Sequence, residues 1–352
     1  MAIFKAEQLT EMSVRLLERV RVSDEIAQVV SRCTVENCLW GHDSHGMALI
    51  PRFIGDIETG KIKPDARTRI VKKSDSIALI DGQRGFGQIT LFEAMKTAMD
   101  MARAQGISSV TVNNCNHVGI LWNFVKMAAD DGMIGMIWCV SGPTGGGGVV
   151  APYGGRKRAI GANPVAVAIP AGDMRPFVLD ISTCAVAGGK VFLHAQQGKP
   201  IPLGWILDEE GCPTEDPNKL FKTGDIRQLA GALLPMAGYK GFGLGLAAEL
   251  LGGILTGYGA ANDPDYQEGN GCFIMALDVK RFVPLEEFGK KADALFRYVK
   301  SIPTDKNTEE IFIPGEIEFR TWEQRTRDGI PVADAVWKNI VAIAHRLGVD
   351  VT

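Results

Sequence analysis

Two short polar segments concentrate the groups in this chain that can carry chemistry. Gly41-His42-Asp43-Ser44-His45-Gly46 holds two of the five histidines, with a carboxylate and a hydroxyl between them. Asn113-Asn114-Cys115-Asn116-His117-Val118-Gly119 brings a third. Histidine is the side chain that most readily moves protons near neutral pH. Rings set between glycines and polar residues, away from any apolar face, point to proton transfer at a site.

Each segment has other readings. His, Asp and His are metal-ligand types, but the spacing lacks His-Glu-x-x-His and no cysteine pair lies nearby. The same residues could cap two helices. The acid/base reading makes His45 the working ring, with Ser44 and Asp43 in its hydrogen-bond network. His117 could satisfy backbone at a strand end, or pair with Cys115 as base and nucleophile. No carboxylate close in sequence would orient that pair, and no Gly-x-Ser-x-Gly elbow occurs.

The elements that must position these groups follow from periodicity. Residues 6–20 repeat apolar positions at three and four and read as a helix. Ser23 is placed as an N-cap, with Asp24 and Glu25 in the first turn of a helix ending at Trp40 and Gly41. Another helix is expected over 47–58, so the first sixty residues read as all-helical. Short strands then follow at 67–71 and 76–80, a helix at 91–105, and a strand at 108–112 that delivers the second polar cluster at its C-terminal end. Ligands gather beyond strand C-termini, so that position suits a site. A helix at 120–131 and strands at 133–140, 165–169, 177–181 and 272–277 mark an α/β or α+β region. Helices are expected at 184–196, 241–255, 284–299, 321–328 and 331–346, and 198–224 reads as an ordered surface excursion.

Composition bounds the function. The 352 residues suggest two or three lobes, and 46% apolar content supplies a sizeable core. A net charge of −3 with dispersed Lys and Arg gives no footprint for nucleic acid or a membrane surface. Seven cysteines without a Cys-x-x-Cys spacing favour reduced thiols in a cytoplasmic protein. The start of the chain enters an amphipathic pattern directly and does not read as a signal peptide.

Glycine, at 41 residues, is in excess and clustered, as nucleotide sites require. Gly241-Phe242-Gly243-Leu244-Gly245 echoes a dinucleotide fingerprint, yet Pro235 and the absence of a preceding strand deny it the Rossmann context. The loop from Ser141 to Gly148 could cradle phosphates with its amides or could be a plain mobile loop. Arg156-Lys157-Arg158 could anchor a phosphate or form a solvated turn.

A series of motifs runs through nearly the whole chain. They are Asp43-Ser44-His45-Gly46, Asn116-His117-Val118-Gly119, Pro152-Tyr153-Gly154-Gly155, Gly161-Ala162-Asn163-Pro164, Leu179-Asp180-Ile181-Ser182, Gly189-Lys190, Gly204-Trp205, Pro213-Thr214, Gly238-Tyr239-Lys240-Gly241 and Ile313-Pro314-Gly315-Glu316. In this order they resemble the type 2 malate/L-lactate dehydrogenase family. That group of NAD(P)-dependent oxidoreductases includes ureidoglycolate, sulfolactate and diketogulonate enzymes and cyclic-imine reductases.

The resemblance implies a non-Rossmann, mixed-sheet cofactor lobe over 66–316. It also implies a helical lobe built from both chain ends, 1–65 and 317–352, and a homodimer. It makes His45 and His117 the proton donors and acceptors. It places the cofactor, NAD or NADP with NAD the first expectation, against Ser141, Val178, Leu179, Asp180, Ile181, Ser182, Thr183, Cys184, Tyr239, Lys240, Pro314, Gly315 and Glu316. Asp180 could orient a histidine or a cofactor hydroxyl.

One departure stands out: the family usually carries arginine four residues after the first of these histidines, and this chain has Leu49. Leucine cannot make the paired hydrogen bonds that hold a carboxylate. Arg52, on the same helix face, is the candidate replacement. The expected activity is hydride transfer between nicotinamide and a small 2-hydroxy or 2-oxo acid, with Ser44 bonding the carbonyl or a histidine. The alternatives are reduction of a cyclic imine carboxylate and a relative that binds NAD(P) without turnover.

Overall fold

The computed structural model describes residues 1–141, 148–222, 225–263 and 269–351, with the backbone alone described at 225–227. The chain begins with strand β1 (Ala2–Phe4) and helices α1 (Ala6–Arg19), α2 (Asp24–Leu39) and α3 (Leu49–Glu58). In α1 the buried residues Leu9, Met12, Ser13, Leu16 and Leu17 recur at helical spacing, which is why this segment coils and why one face packs inward. Ser23 occupies the N-cap position of α2 with extended backbone, but its hydroxyl makes no capping bond. Its N–H instead donates to Asp65 at 3.0 Å.

The α/β region runs β2 (Arg69–Lys73), β3 (Ile77–Asp81), α4 (Gly87–Gln105), β4 (Ile107–Cys115), α5 (Trp122–Asp130) and β5 (Met133–Ser141). It continues with β6 (Val165–Ile169), β7 (Phe177–Ile181) and α6 (Gly188–Gln196). Residues 142–147 of the expected glycine-rich loop lie outside the described residues. The surface excursion carries short strands β8 (Ile206–Leu207), β9 (Pro213–Thr214), β10 (Phe221–Lys222), β11 (Asp225–Leu229) and β12 (Ala232–Leu233). Then come α7 (Tyr239–Ala248), a π-helical continuation over Glu249–Ile254, β13 (Asn270–Asp278), α8 (Leu285–Lys300), α9 (Glu316–Asp328), β14 (Ile330–Val332) and α10 (Asp334–Leu347).

Two differences from the sequence reading concern the chain's end. Helix α9 starts at Glu316, five residues before the expected 321, and 330–332 is a strand where a helix start was expected. Strand β14 pairs antiparallel with β1, Ala2 opposite Val332 and Phe4 opposite Ile330. One apolar core joins Leu9, Leu16, Ile26, Phe53 and Ile54 to Ile330, Ile340 and Ala344 from the far end of the chain.

The central sheet is mixed, in the order β2-β3-β4-β13-β5-β6-β7. Only β3 and β4 run parallel, and the other described neighbours are antiparallel. Helices α4 and α5 cover it with Leu91, Met95, Ala98, Phe124 and Val125 packed on Val110, Val112, Ile137 and Ile274. Because β13 runs against both β4 and β5, its first residue, Asn270, lies opposite both Cys115 and Ser141. Val165 likewise opposes Ile181. The C-terminal ends of β4, β5 and β7 therefore meet at one edge, where both the second histidine cluster and most of the expected cofactor residues arrive. Among the described residues no helix is long and apolar enough to cross a membrane.

Candidate active site

His45 closes a single 3-10 turn, Asp43–His45, directly after α2. His117 lies two residues beyond β4. Although 72 positions apart in sequence, their rings stack with centroids 5.5 Å apart and planes 28° from parallel. Ser44 Oγ lies 2.9 Å from His45 Nδ1. The Gly119 N–H donates to His117 Nδ1 at 3.1 Å. A nitrogen that accepts a backbone N–H carries no proton, so neutral His117 holds its proton on Nε2. Gly119 can face back in this way because it adopts φ +83, a conformation that favours glycine.

Both rings are held neutral. Burial, then the charge of His42, then that of Arg52, push His45 down to about 4. Burial, His45 and Arg52 likewise hold His117 well below the ordinary histidine value. Arg52 thus disfavours the charged form of both rings. It also pairs with Asp56 at 3.5 Å. Leu49, on the first turn of α3, is 6% exposed and packs in the helical core, whereas Arg52 emerges from the same helix. The two thus share a helix but not an environment.

The rest of the first cluster divides into separate tasks. Asp43 does not join the His45 network: Arg325 of α9 grips its carboxylate at 2.5 and 3.0 Å, fixing the turn to the far end of the chain. The His42 N–H donates to Asn37 O at 2.8 Å, while its Nε2 is buried with no partner among the described residues. In the second cluster, Asn113 Nδ2 donates to Thr256 O and Asn114 Nδ2 to Asp81. Cys115 is 4% exposed, its thiol donates to Asn270 O at 3.1 Å, and burial pushes its pKa up. It is not placed as a nucleophile.

The expected cofactor residues fall into three groups. Ser141 and Thr183 surround the turn 161–163: Thr183 N and Oγ1 both donate to Ala162 O at 3.1 Å. A Cβ at Gly161 would lie 2.3 Å from Asn163 Oδ1 and 3.1 Å from Ser141 Oγ, so only glycine fits. Ser182 hydrogen-bonds Cys184, whose buried thiol is pushed up to about 11. The second group is β7 and its neighbour. Val178 N donates to Pro314 O at 3.0 Å, Gly315 abuts Trp122 and Val178, and Leu179 and Ile181 are half-buried on the strand.

Asp180 Oδ2 accepts from Leu121 N at 2.7 Å and Trp122 N at 2.9 Å, capping α5 just after the His117 turn. Burial raises its pKa against the opposing pull of those amides and of His42. Its bonded partners are thus backbone amides. The Glu316 carboxylate accepts from Lys300 Nζ at 2.6 Å and Ile313 N at 2.9 Å, leaving it a turn-former. The third group, Tyr239 and Lys240, is exposed at the start of α7. Among the described residues no hydrogen bond joins it to the histidine turns. Glycines 241, 243 and 245 lie inside α7, and Arg156 donates to Glu210 O.

Three positioning residues escaped the sequence reading. Asn270, 5% exposed, accepts from Val118 N at 3.1 Å and donates to Val140 O at 2.7 Å, clamping the ends of β4 and β5 together. Glu249, buried in the π-helical turn, accepts from Gly161 N and Asn163 Nδ2 at 3.0 and 2.8 Å. Asn163 itself is fully buried at φ +40, and its Oδ1 has no partner among the described residues. Asn163 stands in a quoted motif, but nothing in its neighbours announced a buried acceptor. A π-helical turn leaves no pattern in sequence, although such turns are frequent at functional sites.

Comparison with known proteins identifies the family. A family model described as malate/L-lactate dehydrogenase matches residues 4–341. A malate dehydrogenase of Pyrococcus horikoshii is 36% identical over 348 residues, 98% of this chain and 95% of the relative. A Delta(1)-pyrroline-2-carboxylate/Delta(1)-piperideine-2-carboxylate reductase of Pseudomonas aeruginosa is 31% identical, covering 96% of this chain and 98% of the relative. The solved sulfolactate dehydrogenase of Methanocaldococcus jannaschii superposes with a TM-score of 0.88 at 32% identity, covering 99% of this chain and 98% of that one.

Proposed function

The chain belongs to the malate/L-lactate dehydrogenase family, and from that premise we propose that it is an NAD(P)-dependent oxidoreductase of small 2-hydroxy and 2-oxo acids in which the His45–His117 pair handles the proton. The stacked rings carry this reading. One of them, His117, has its tautomer set by a backbone N–H and so presents Nε2–H as a donor. In carbonyl reduction an imidazolium gives its proton to the developing alkoxide, and in alcohol oxidation a ring with a free nitrogen takes it back; His45 can do both, while His117 hydrogen-bonds the same oxygen through Nε2–H. Burial keeps both rings neutral in the free protein. An anionic substrate beside His45 favours its imidazolium, so the proton is recruited along with the substrate.

The nicotinamide, when bound, supplies or accepts the hydride. The residues around the turn 161–163 fit such a group: Asn163 Oδ1, without a partner among the described residues, suits a carboxamide N–H, and Gly161 keeps side-chain bulk away from Ser141. Ser141 with Val178 to Cys184, Tyr239-Lys240 and Pro314 to Glu316 would hold it, outside any Rossmann turn. Lys240 offers a point charge for phosphate. Arg52 anchors the substrate carboxylate, since buried Leu49 offers no donor. Ser44 orients His45 or bonds the carbonyl.

The division into 1–65 with 317–352 and 66–316 belongs to the same proposal, supported by the core shared between the chain ends. So do homodimeric assembly, use of NAD, and a cytoplasmic location, which suits seven free cysteines. A second reading, reduction of a cyclic imine carboxylate, is favoured by the reductase-like relative and by leucine at position 49. A panel of 2-oxo acids and cyclic imine carboxylates, run with both cofactors and followed by loss of reduced-nicotinamide absorbance, separates the two. Cofactor binding without turnover of either class would overturn both in favour of a non-catalytic relative.

A further inference from the structure

Asn37 lies on the last turn of α2 and is completely buried. Its Nδ2 donates to the backbone carbonyl of His45 at 2.8 Å. Its Oδ1 accepts from Asn123 Nδ2 of α5, also at 2.8 Å. The same Nδ2 lies beside the other histidine turn: a Cβ added at Gly119 would come 3.2 Å from it. Gly119 is the residue whose N–H fixes the His117 tautomer. One amide therefore stands at both turns, bonding the residue that bears one ring and lying where any side chain at Gly119, which orients the other, would crowd it. The backbone carbonyl of Asn37 also takes the His42 N–H.

The amide orientation is unambiguous. A carbonyl on one side demands a donor, and the Asn123 amine on the other demands an acceptor. An aspartate would set a carboxylate oxygen against the His45 carbonyl, and a leucine would strand both partners in a buried site. The second buried amide at this seam, Gln88, comes within 4.0 Å of the same Gly119 position and has neither end bonded among the described residues. Gln88 is thus no substitute for the bonds that Asn37 makes.

We propose that Asn37 is a positioning residue that sets the mutual placement of the His45 and His117 rings, holding one turn by hydrogen bond and occupying the space beside the other. Its consequence for catalysis rests on the proton-transfer role given to those rings above. Its structural content does not.

The test uses the full chain with 15N-labelled histidine. In the wild type, His117 shows a single Nε2–H tautomer by long-range 15N–1H NMR. Asn37→Leu is expected to move the ring signals of both His45 and His117, with His117 becoming a tautomer mixture. In single-turnover hydride transfer the rate falls about 100-fold, the penalty of an ångström-scale misplacement, while cofactor affinity stays within about twofold. Asn123→Leu, which frees the amide but keeps its bond to His45, moves the same signals less, and serves if Asn37→Leu does not fold. Folded variants with unchanged ring signals overturn the proposal, whereas a moved pair that turns over at the wild-type rate overturns its consequence for catalysis. A wild-type enzyme inactive on every substrate would refute the catalytic reading alone, because the ring signals report placement without turnover.

Discussion

Replacing Asn270 by leucine removes the clamp at the strand ends without leaving a large hole. Leucine has a similar volume, so the loss is confined to hydrogen bonds. Two groups are stranded: the N–H of Val118, whose bond to Oδ1 is 3.1 Å, and the carbonyl of Val140, whose bond to Nδ2 is 2.7 Å. Val118 and Val140 are 3% and 0% exposed, so water does not replace the lost partner. Each buried unsatisfied group costs about 1–3 kcal/mol, which gives about 2–6 kcal/mol for the pair. Against a typical stability of about 5–15 kcal/mol this is a severe loss for one side chain. Urea unfolding at fixed protein concentration, followed by tryptophan fluorescence, reads it as a lowered midpoint with unchanged steepness. Activity falls as well, because the end of β4 carries the His117 turn. A loss below about 1 kcal/mol would refute the reasoning, since it would mean that both groups find water or new partners.

Arg52→Ala is expected to lower kcat/KM for a 2-oxo acid about 10–150-fold, mostly through KM, as loss of a charge-assisted bond of about 1.5–3 kcal/mol predicts. It should also raise the pKa of both histidines, because Arg52 holds them down, and NMR titration of the rings reads that directly. Stability should rise with pH between about 4 and 6.5. The folded His45 pKa is depressed below its unfolded value, so the unfolded chain binds more protons across that window and is favoured as pH falls through it. The contribution is at most about 3 kcal/mol, and urea midpoints measured from pH 4.5 to 7 should slope less in His45→Asn than in wild type.

Local pattern was enough for the elements that recur by period. Strands 165–169 and 177–181 form over the residues read for them, and from 69 to 141 helices and strands alternate as expected, whereas β1 lies in a stretch read as all-helical. The histidine segments and the run of motifs gave the family. What escaped is what depends on partners distant in sequence. Asp43 reads as a member of the His45 network until Arg325, 282 positions away, is seen to hold it. The residues of β14 look helical until β1 pairs with them. Asn37 and Asn270 are single asparagines among ordinary neighbours, and only tertiary packing shows that each joins two parts of the site. Ser23 failed as a cap for the converse reason: the local signal was present, but the hydroxyl was not turned to the helix.

The central claim is that the His45–His117 pair moves the proton. Single-turnover hydride transfer from saturating reduced cofactor, measured for His45→Ala, His117→Ala and the double variant, tests it most directly. The account predicts that at least one single variant loses about 10²–10⁴-fold in rate with cofactor affinity intact, and that the double variant loses little more, because the rings act as one unit. Wild-type rates in both single variants would contradict it.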